Sequence, residues 1–338
     1  MDEMLHARIL GGMYGAVIGD ALGAITETLS MRQIRELYGW LDDFQPLQSQ
    51  PYGQDRVPGE ITDDASLVLA MAAVAHSEDF TLDMAIRGMQ AWASDERYSR
   101  YAGPSTKRAL ALILRGCDPL EAGKGDVTSF TGASNGGAMK VAPAGWMAPD
   151  DIEKAVRNAA ALCGPTHNTN LAIAGASAIA AACSAALNES PTIESVTTAA
   201  ISGAKIGAQI GLRQGREVAG PDVALRIRQA LDLVDVEEPK ASLERLANRI
   251  GCGLATSESV PVAIAIFALS QGDGRLCAIY SANVGDDTDT VGCMATAIGG
   301  TFSGANVFPL RWRELVSAAN HIDVENLTKQ FIERTHHA

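Results

Sequence analysis

Four glycines stand at four-residue intervals near the start of the chain, at Gly11, Gly15, Gly19 and Gly23. Steps of four keep side chains near one face of a helix, and Glu27 continues the series. Each glycine lowers helix stability by roughly 1 kcal/mol relative to alanine, so a stripe of four needs a reason. One possible reason is the close approach of another helix. A more specific reason is that the stripe also forms the floor of a pocket that ends at the Glu27 carboxylate.

The rest of the chain also has helical spacing of its apolar residues, and strand signals are scarce. Only 5% of the residues are aromatic while 47% are hydrophobic, a balance that favours closely packed helices over a β-sandwich. With no long linker and no fixed-period repeat, residues 1–338 are predicted to form a single compact all-α, multi-helix domain. The predicted helices are 5–29, 64–76, 82–93, 104–115, 151–163, 170–187, 194–214, 221–234, 240–250, 258–271, 290–300 and 311–333.

Composition excludes several classes of protein. A net charge of −13 without any basic run argues against nucleic-acid binding. Two uncharged stretches, 171–187 and 291–310, are diluted by small polar residues, so buried helices are expected rather than membrane spans. Six scattered cysteines and an acidic N-terminus without an apolar run indicate reduced thiols and a cytoplasmic location.

Two acidic clusters open apolar, alanine-rich helices: TDD at 62–64 and DDTDT at 286–290. Thr and Asp at a helix start are ordinary N-caps, which explains one or two residues of the first cluster but not a matched pair. Solvated loops are the other simple interpretation. Carboxylates and hydroxyls suit Mg²⁺, Mn²⁺ or Ca²⁺, so the pair predicts a shared metal site, and the number of carboxylates suggests two ions. The spacing does not fit an EF-hand, and no P-loop is present.

The middle of the chain adds two polar segments. S-N-G-G at 134–137 is typical of a tight turn, and the same residues also allow backbone amides to approach a sugar or phosphate. His167 stands just before a long alanine-rich helix, where a capping or packing role competes with a role as a ligand contact.

Together, five segments of the chain resemble the ADP-ribosylglycohydrolase family, which includes ADP-ribosyl-acceptor hydrolases and dinitrogenase reductase-activating glycohydrolases. The segments occur in the family's order and span about 280 residues. They are GAVIGDALGAITE (15–27), TDDAS (62–66), SNGGAMKVAP (134–143), THNTNLAIAGA (166–176) and GDDTDTVG (285–292).

The resemblance implies an all-α fold with a binuclear Mg²⁺ or Mn²⁺ centre in a cleft. By motif position, the metal ligands are Thr62, Asp63, Asp64, Asp287, Asp289 and Thr290. Asp286 occupies a place that is often Gly and is left out of this set. The implied catalytic residues are Glu27, Asp63 and Asp287, and the implied substrate contacts are Ser134, Asn135, Gly136, Gly137, Met139 and His167.

The resemblance also implies hydrolysis at C1′ of a ribose, which releases ADP-ribose from an acceptor that could be a modified protein. Such a hydrolysis needs a positioned water and a carboxylate that acts as acid or base, and negative charge stabilises its oxocarbenium-like transition state. Metal ions and carboxylates at this site would supply these groups. TGAS, before Asn135, lacks the aromatic that stacks on adenine in some relatives. Unless Phe130 or another ring replaces it, the substrate would be a nucleoside or another small ribosyl compound. A non-catalytic nucleotide sensor and a two-metal phosphoesterase are the further alternatives.

Overall fold

The computed structural model describes residues 3–48, 56–127 and 130–336. Over these ranges the chain forms 18 α-helices and two 3₁₀ helices (Asn135–Gly137 and Ala305–Val307), and it has no β-strand. This confirms the predicted all-α, single-domain fold. The α-helices are α1 Glu3–Gly23, α2 Met31–Tyr38, α3 Asp63–Val74, α4 Leu82–Ala93, α5 Glu96–Ser99, α6 Pro104–Ile113, α7 Pro119–Gly123, α8 Ala142–Trp146, α9 Ile152–Cys163, α10 Asn170–Ala185, α11 Ile193–Gln214, α12 Val223–Leu231, α13 Pro239–Arg249, α14 Thr256–Leu269, α15 Gly274–Val284, α16 Thr288–Ser303, α17 Leu310–Asn320 and α18 Val324–Thr335.

The glycine stripe packs against α16, the helix that the second acidic cluster opens. A Cβ placed on Gly15 or Gly19 would lie 2.1 Å from a carbonyl oxygen of α16, and one on Gly23 would lie 2.2 Å from the Thr288 oxygen. The two backbones are therefore in direct contact, which only glycine permits. The predicted close approach is confirmed, and it places the start of α16 beside the end of α1.

Helix α1 ends at Gly23, six residues before the predicted end. The Thr26 hydroxyl lies 3.1 Å from the Gly23 carbonyl oxygen and 2.7 Å from that of Ala282, so it satisfies backbone acceptors at the helix end. Thr28 then adopts a left-handed conformation, with φ 66°. Glu27 therefore lies in a turn beyond the helix rather than on its glycine face.

Other parts of the helix assignment also differ from the sequence-based expectation, including the short helices α5, α7 and α8, which were not predicted. The predicted helix 311–333 is interrupted at His321, which is left-handed, and the Asp323 side chain caps α18. Helix α2, which was not predicted, begins with a capping box in which Ser30 and Gln33 exchange hydrogen bonds. Local capping groups decide these boundaries.

The first uncharged stretch and residues 291–301 of the second form buried helices of the core, as predicted, whereas residues 304–310 follow the end of α16 and are partly exposed. Every residue of α10 from Leu171 to Ala185 is buried, and so is every residue of α16 from Thr288 to Thr301. Among the described residues, no helix is long and apolar enough to cross a membrane. All six cysteines are free thiols.

Candidate active site

The first acidic cluster sits at the start of α3 and is held there by a buried carboxylate of α1. Thr62 is the N-cap of α3, and its hydroxyl accepts a hydrogen bond from the Asp64 amide. Asp20 is fully buried and accepts hydrogen bonds from the backbone amides of Thr62 (3.0 and 3.1 Å) and Ala65 (2.8 Å). Asp20 thereby fixes the backbone at the start of α3, which gives a role to the one charged residue between Gly11 and Gly23.

The second cluster is divided by a backbone reversal at its start. Asp286 has a φ of 67°, and its amide donates to the Leu29 carbonyl while its own carbonyl accepts from Thr28. These bonds tie the cluster to the turn that carries Glu27. The reversal leaves Asp286 exposed at a separate surface pocket, whereas Asp287 is buried. The omission of Asp286 from the predicted ligand set agrees with this geometry.

One cleft of about 380 Å³ collects most of the predicted site residues. Its walls include Glu27, Asp63, Asp64, Ser134, Asn135, Gly136, Met139, His167, Asp287, Asp289 and Thr290. Two predicted residues are not on its walls. Thr62 is buried behind Asp64 as the helix cap, and Gly137 faces inward, where a Cβ would lie 2.7 Å from the Cys163 sulfur. None of the four stripe glycines lines the cleft, so the proposal that they floor a pocket is wrong.

The S-N-G-G segment forms a 3₁₀ turn that bridges the second acidic cluster and the histidine. Asn135 donates from its side-chain amide to an Asp287 carboxylate oxygen and from its backbone amide to the Leu254 carbonyl. Ser134 Oγ lies 3.0 Å from His167 Nε2. Asn135 and Asp287, which are 152 positions apart in the sequence, therefore lie on the same wall of the cleft.

The mouth of the cleft carries aromatic and aliphatic side chains that the sequence motifs did not identify. Phe130 is 45% exposed and Leu254 is 68% exposed, and both line the cleft. Tyr101 also lines it, with the guanidinium of Arg56 5.2 Å and that of Arg100 4.8 Å from its ring centre. Aromatic rings are therefore present at the cleft despite the TGAS sequence.

Burial makes the carboxylates difficult to ionise together. Desolvation, followed by the charge of Asp289, raises the pKa of Glu27 to about 10 and that of Asp63 to about 7. The same causes raise the pKa of Asp64 and Asp287 well above the usual range. The nearest cation to Glu27 is Arg56, whose Nη1 lies 4.0 Å from Oε2. The cleft as a whole thus has an excess of negative charge that a bound cation would compensate.

The donor set fits a hard divalent cation. The Oδ1 atoms of Asp64 and Asp289 are buried and have no hydrogen-bond partner among the described residues. Such unpartnered carboxylate oxygens are the ligands that Mg²⁺ and Mn²⁺ prefer. No three His, Cys, Asp or Glu side chains in the described ranges already form a ligating cluster, so binding would need side-chain movements.

The metal-free protein is expected to lose stability as pH rises from about 5 to about 9. Folding raises the pKa of Asp63 to about 7 and that of Asp20 to about 8, so the folded state holds protons that the unfolded chain releases. The stabilisation is present at low pH and is lost as pH passes these values, at about 1.4 kcal/mol per pKa unit and group. Thermal melts with a chelator should show Tm falling by roughly 5 °C or more.

The control for that prediction is the same series of melts with excess Mg²⁺ or Mn²⁺. A cation among the carboxylates favours their ionised form, so the fall in Tm should largely disappear. A metal-free Tm that is constant across this pH range, or one that metal leaves unchanged, contradicts the assignment of a cation-binding carboxylate cluster.

Asp20 and Lys140 are buried charged residues beside the site, and the sequence analysis gave neither of them a role. Lys140 is fully buried beneath the S-N-G-G turn, with its ammonium 2.6 Å from the Gly136 carbonyl oxygen. A charged residue inside an otherwise apolar or glycine-rich segment was the available signal for both. Only the fold shows which groups they contact.

The helical fold and the carboxylate-lined cleft do not by themselves define an activity, and comparison with known proteins is more specific. The sequence pattern of ADP-ribosylglycohydrolase matches residues 1–338. The chain belongs to the ADP-ribosylglycohydrolase family, and its class is therefore that of a glycohydrolase.

Similar proteins cover nearly the whole chain. The uncharacterised protein YegU of Escherichia coli K12 is 32% identical over 330 residues, which are 95% of each chain. ADP-ribosylhydrolase ARH3 of Bos taurus is 27% identical, over 94% of this chain and 91% of its own. A solved structure described as an ADP-ribosylglycohydrolase-related protein complex superposes with a TM-score of 0.67, covering 98% of this chain and 99% of its own at 23% identity. This last likeness supports the fold.

Proposed function

We propose that this protein is a divalent-metal-dependent hydrolase that cleaves the glycosidic bond at ribose C1′ and releases ADP-ribose from an ADP-ribosylated acceptor. The observation that carries the proposal is the meeting of both acidic clusters, Glu27 and the S-N-G-G turn in one cleft of about 380 Å³. That volume lies in the range of small-molecule sites. Similarity to ADP-ribosylhydrolase ARH3 supports the choice of substrate.

The acidic clusters would hold two Mg²⁺ or Mn²⁺ ions. Oxygen ligands would come from five residues that line the cleft: Asp63, Asp64, Asp287, Asp289 and Thr290. The hydroxyl of Thr62, which bonds to the Asp64 carboxylate, would add a further ligand. Bound there, the ions would orient the ribose hydroxyls and a water molecule. Both clusters already lie at helix starts on the same cleft.

Glu27 would act as the acid or base near the reacting bond. It lies on the cleft wall in the turn after α1, and its raised pKa allows the carboxyl to keep a proton at neutral pH when no cation is near. Arg56 lowers this pKa, but less than burial and the neighbouring carboxylates raise it. Bound cations would lower it further, so a metal-loaded site would give this carboxyl access to both protonation states, as general acid–base catalysis requires.

The substrate's other end would lie along the polar wall and the aromatic mouth. Ser134, Asn135 and Gly136 present hydroxyl, amide and backbone groups, and His167 and Met139 complete this wall. Phe130 at the mouth provides a ring for a base, where stacking contributes about 1–3 kcal/mol. This ring would take the place of the aromatic that the TGAS sequence lacks.

Product analysis tests the proposal. The purified protein with Mg²⁺ or Mn²⁺ would be incubated with ADP-ribosyl-arginine, ADP-ribosyl-serine, a panel of nucleosides and an aryl phosphate, and the products separated by chromatography. Free ADP-ribose is the expected product. Ribose from nucleosides alone would replace this function with nucleoside hydrolysis, phosphate release would indicate a phosphoesterase, and ADP-ribose binding without turnover would indicate a sensor.

Glu27→Gln is expected to lower kcat by about a hundredfold or more while leaving metal affinity within a few-fold. The amide keeps the shape of the side chain but cannot transfer the proton. Turnover of the substrate identified above and Mn²⁺ titration by calorimetry measure the two effects separately. Unchanged kcat would remove Glu27 from the mechanism, and equal losses of kcat and metal affinity would make it a metal ligand instead.

A further inference from the structure

Lys140 is a buried charge that the proposed chemistry does not use. Its side chain is fully buried, and its ammonium donates to the Gly136 carbonyl at 2.6 Å and to Thr166 Oγ1 at 3.0 Å. No ion pair joins it to a carboxylate within the described ranges. A buried charge without a paired partner is destabilising, so its presence needs a reason. Burial lowers its pKa to about 8, which leaves the ammonium charged at neutral pH.

A chain of hydrogen bonds leads from Lys140 to the wall of the cleft. Thr166 Oγ1, which accepts from Lys140, lies 2.8 Å from His167 Nδ1. His167 Nε2 in turn lies 3.0 Å from Ser134 Oγ, on the cleft wall. The buried ammonium is therefore connected to the substrate wall through two side chains.

The charge of Lys140 selects the direction of these bonds. The Thr166 hydroxyl proton can go to His167 Nδ1 at 2.8 Å or to the Cys163 carbonyl at 3.4 Å, and the shorter bond is favoured. An ammonium beside Thr166 also attracts the lone-pair end of the imidazole and repels an N–H directed at the same oxygen. Nδ1 is then the acceptor.

The histidine is neutral, so its one ring proton is on Nε2. Burial, followed by the charge of Lys140, holds the pKa of His167 well below its usual value. Nε2–H donates to Ser134 Oγ, and the Ser134 hydroxyl keeps its own proton for a ligand oxygen in the cleft. With the other tautomer, Nε2 would accept that proton, and Ser134 would turn only lone pairs toward the ligand.

We infer that Lys140 is a positioning residue that, through Thr166, holds His167 as the Nε2–H tautomer and so makes Ser134 a hydrogen-bond donor to an oxygen of the bound substrate. The same ammonium anchors the Gly136 carbonyl and thus the turn itself. The inference rests on the proposed function for the identity of that substrate, whereas the tautomer is a property of the resting protein.

The first test is ¹⁵N NMR of the full chain labelled at histidine, with the His167 signal assigned by its loss in His167→Gln. Protonated and unprotonated ring nitrogens have well-separated shifts. Wild-type protein should show a proton on Nε2, and Thr166→Val and Lys140→Met should shift the population toward Nδ1–H. A wild-type proton on Nδ1, or a tautomer that neither variant changes, overturns the inference.

The second test is the Kd for ADP-ribose, measured by calorimetry. Thr166→Val and Lys140→Met should weaken binding by about tenfold, the equivalent of one hydrogen bond to a charged group. Thr166→Ser keeps the hydroxyl and should bind as wild type does. If Lys140→Met fails to fold, Thr166→Val and Thr166→Ser give the same comparison. Equal Kd values for Thr166→Val and wild type overturn the inference.

The two tests separate this inference from the proposed function. Wild-type protein that shows the Nε2–H tautomer but does not bind ADP-ribose rejects the proposed function and leaves the tautomer assignment supported by the variants. Wild-type protein that releases ADP-ribose but carries the proton on Nδ1 supports the function and rejects the role of Lys140.

Discussion

Asp287→Asn is expected to lower turnover by on the order of a thousandfold or more while the helical fold is kept. Asp287 is the buried N-cap residue of α16, and its carboxylate faces both Asp289 and the Asn135 amide. The asparagine removes a charged oxygen that the proposed cations need, without changing the size of the side chain. It also removes one of several repelling carboxylates, so the metal-free Tm should stay the same or rise.

Asp286→Asn is the matched control for this prediction. The two aspartates are adjacent, but Asp286 is exposed at another pocket and contributes nothing to the cleft wall. Asparagine also tolerates its left-handed backbone. Activity within about twofold of wild type is expected by this geometry. Product formation and circular dichroism of both variants give the comparison; a fully active Asp287→Asn, or equal losses in both, would falsify the assignment of Asp287.

Gly19→Ala is expected to destabilise the protein by about 3 kcal/mol or more. A Cβ at this position would lie 2.1 Å from the Gly292 carbonyl oxygen, which belongs to the backbone of α16 and cannot rotate away. Relief requires separation of α1 from α16, and these helices carry Asp20 and the last three residues of the second acidic cluster. Denaturant unfolding followed by circular dichroism measures the loss, and activity should fall with it.

Gly103→Ala provides the control for an added methyl group. Gly103 has a φ of −65°, and a Cβ there would meet no atom within 4 Å. Its effect on unfolding free energy should stay within about 1 kcal/mol. Similar losses in the two variants would mean that the glycine stripe is not held by backbone contact.

The helical fold and the existence of the acidic site could be predicted because they depend on local patterns. Apolar spacing predicted α3, α4, α9 and α11 within two residues at each end. The paired TDD and DDTDT clusters indicated a common site because each exceeds the needs of a helix cap, and the cleft brings both together. Their binding of metal remains a prediction.

The course of the chain at Glu27 could not be predicted, because it depends on a distant partner. Thr26 bonds to the Ala282 carbonyl, and Thr28 bonds to that of Asp286, so residues more than 250 positions away end α1 and turn the chain. Phe130, which the sequence analysis named as a candidate ring, and Tyr101, which it did not, lie in loops outside the motifs. Only the tertiary structure places both at the cleft.

The sequence by itself determined the helical class, the glycine contact and the residue types available for chemistry, because periodicity, helix propensity and ligand preference are properties of short segments. The tertiary structure alone decided which carboxylates face one another, which way Asp286 and Gly137 turn, and that Asp20 and Lys140 support the site from beneath. These features depend on hydrogen bonds between segments far apart in the chain, and each of those bonds is stronger because it is buried away from water.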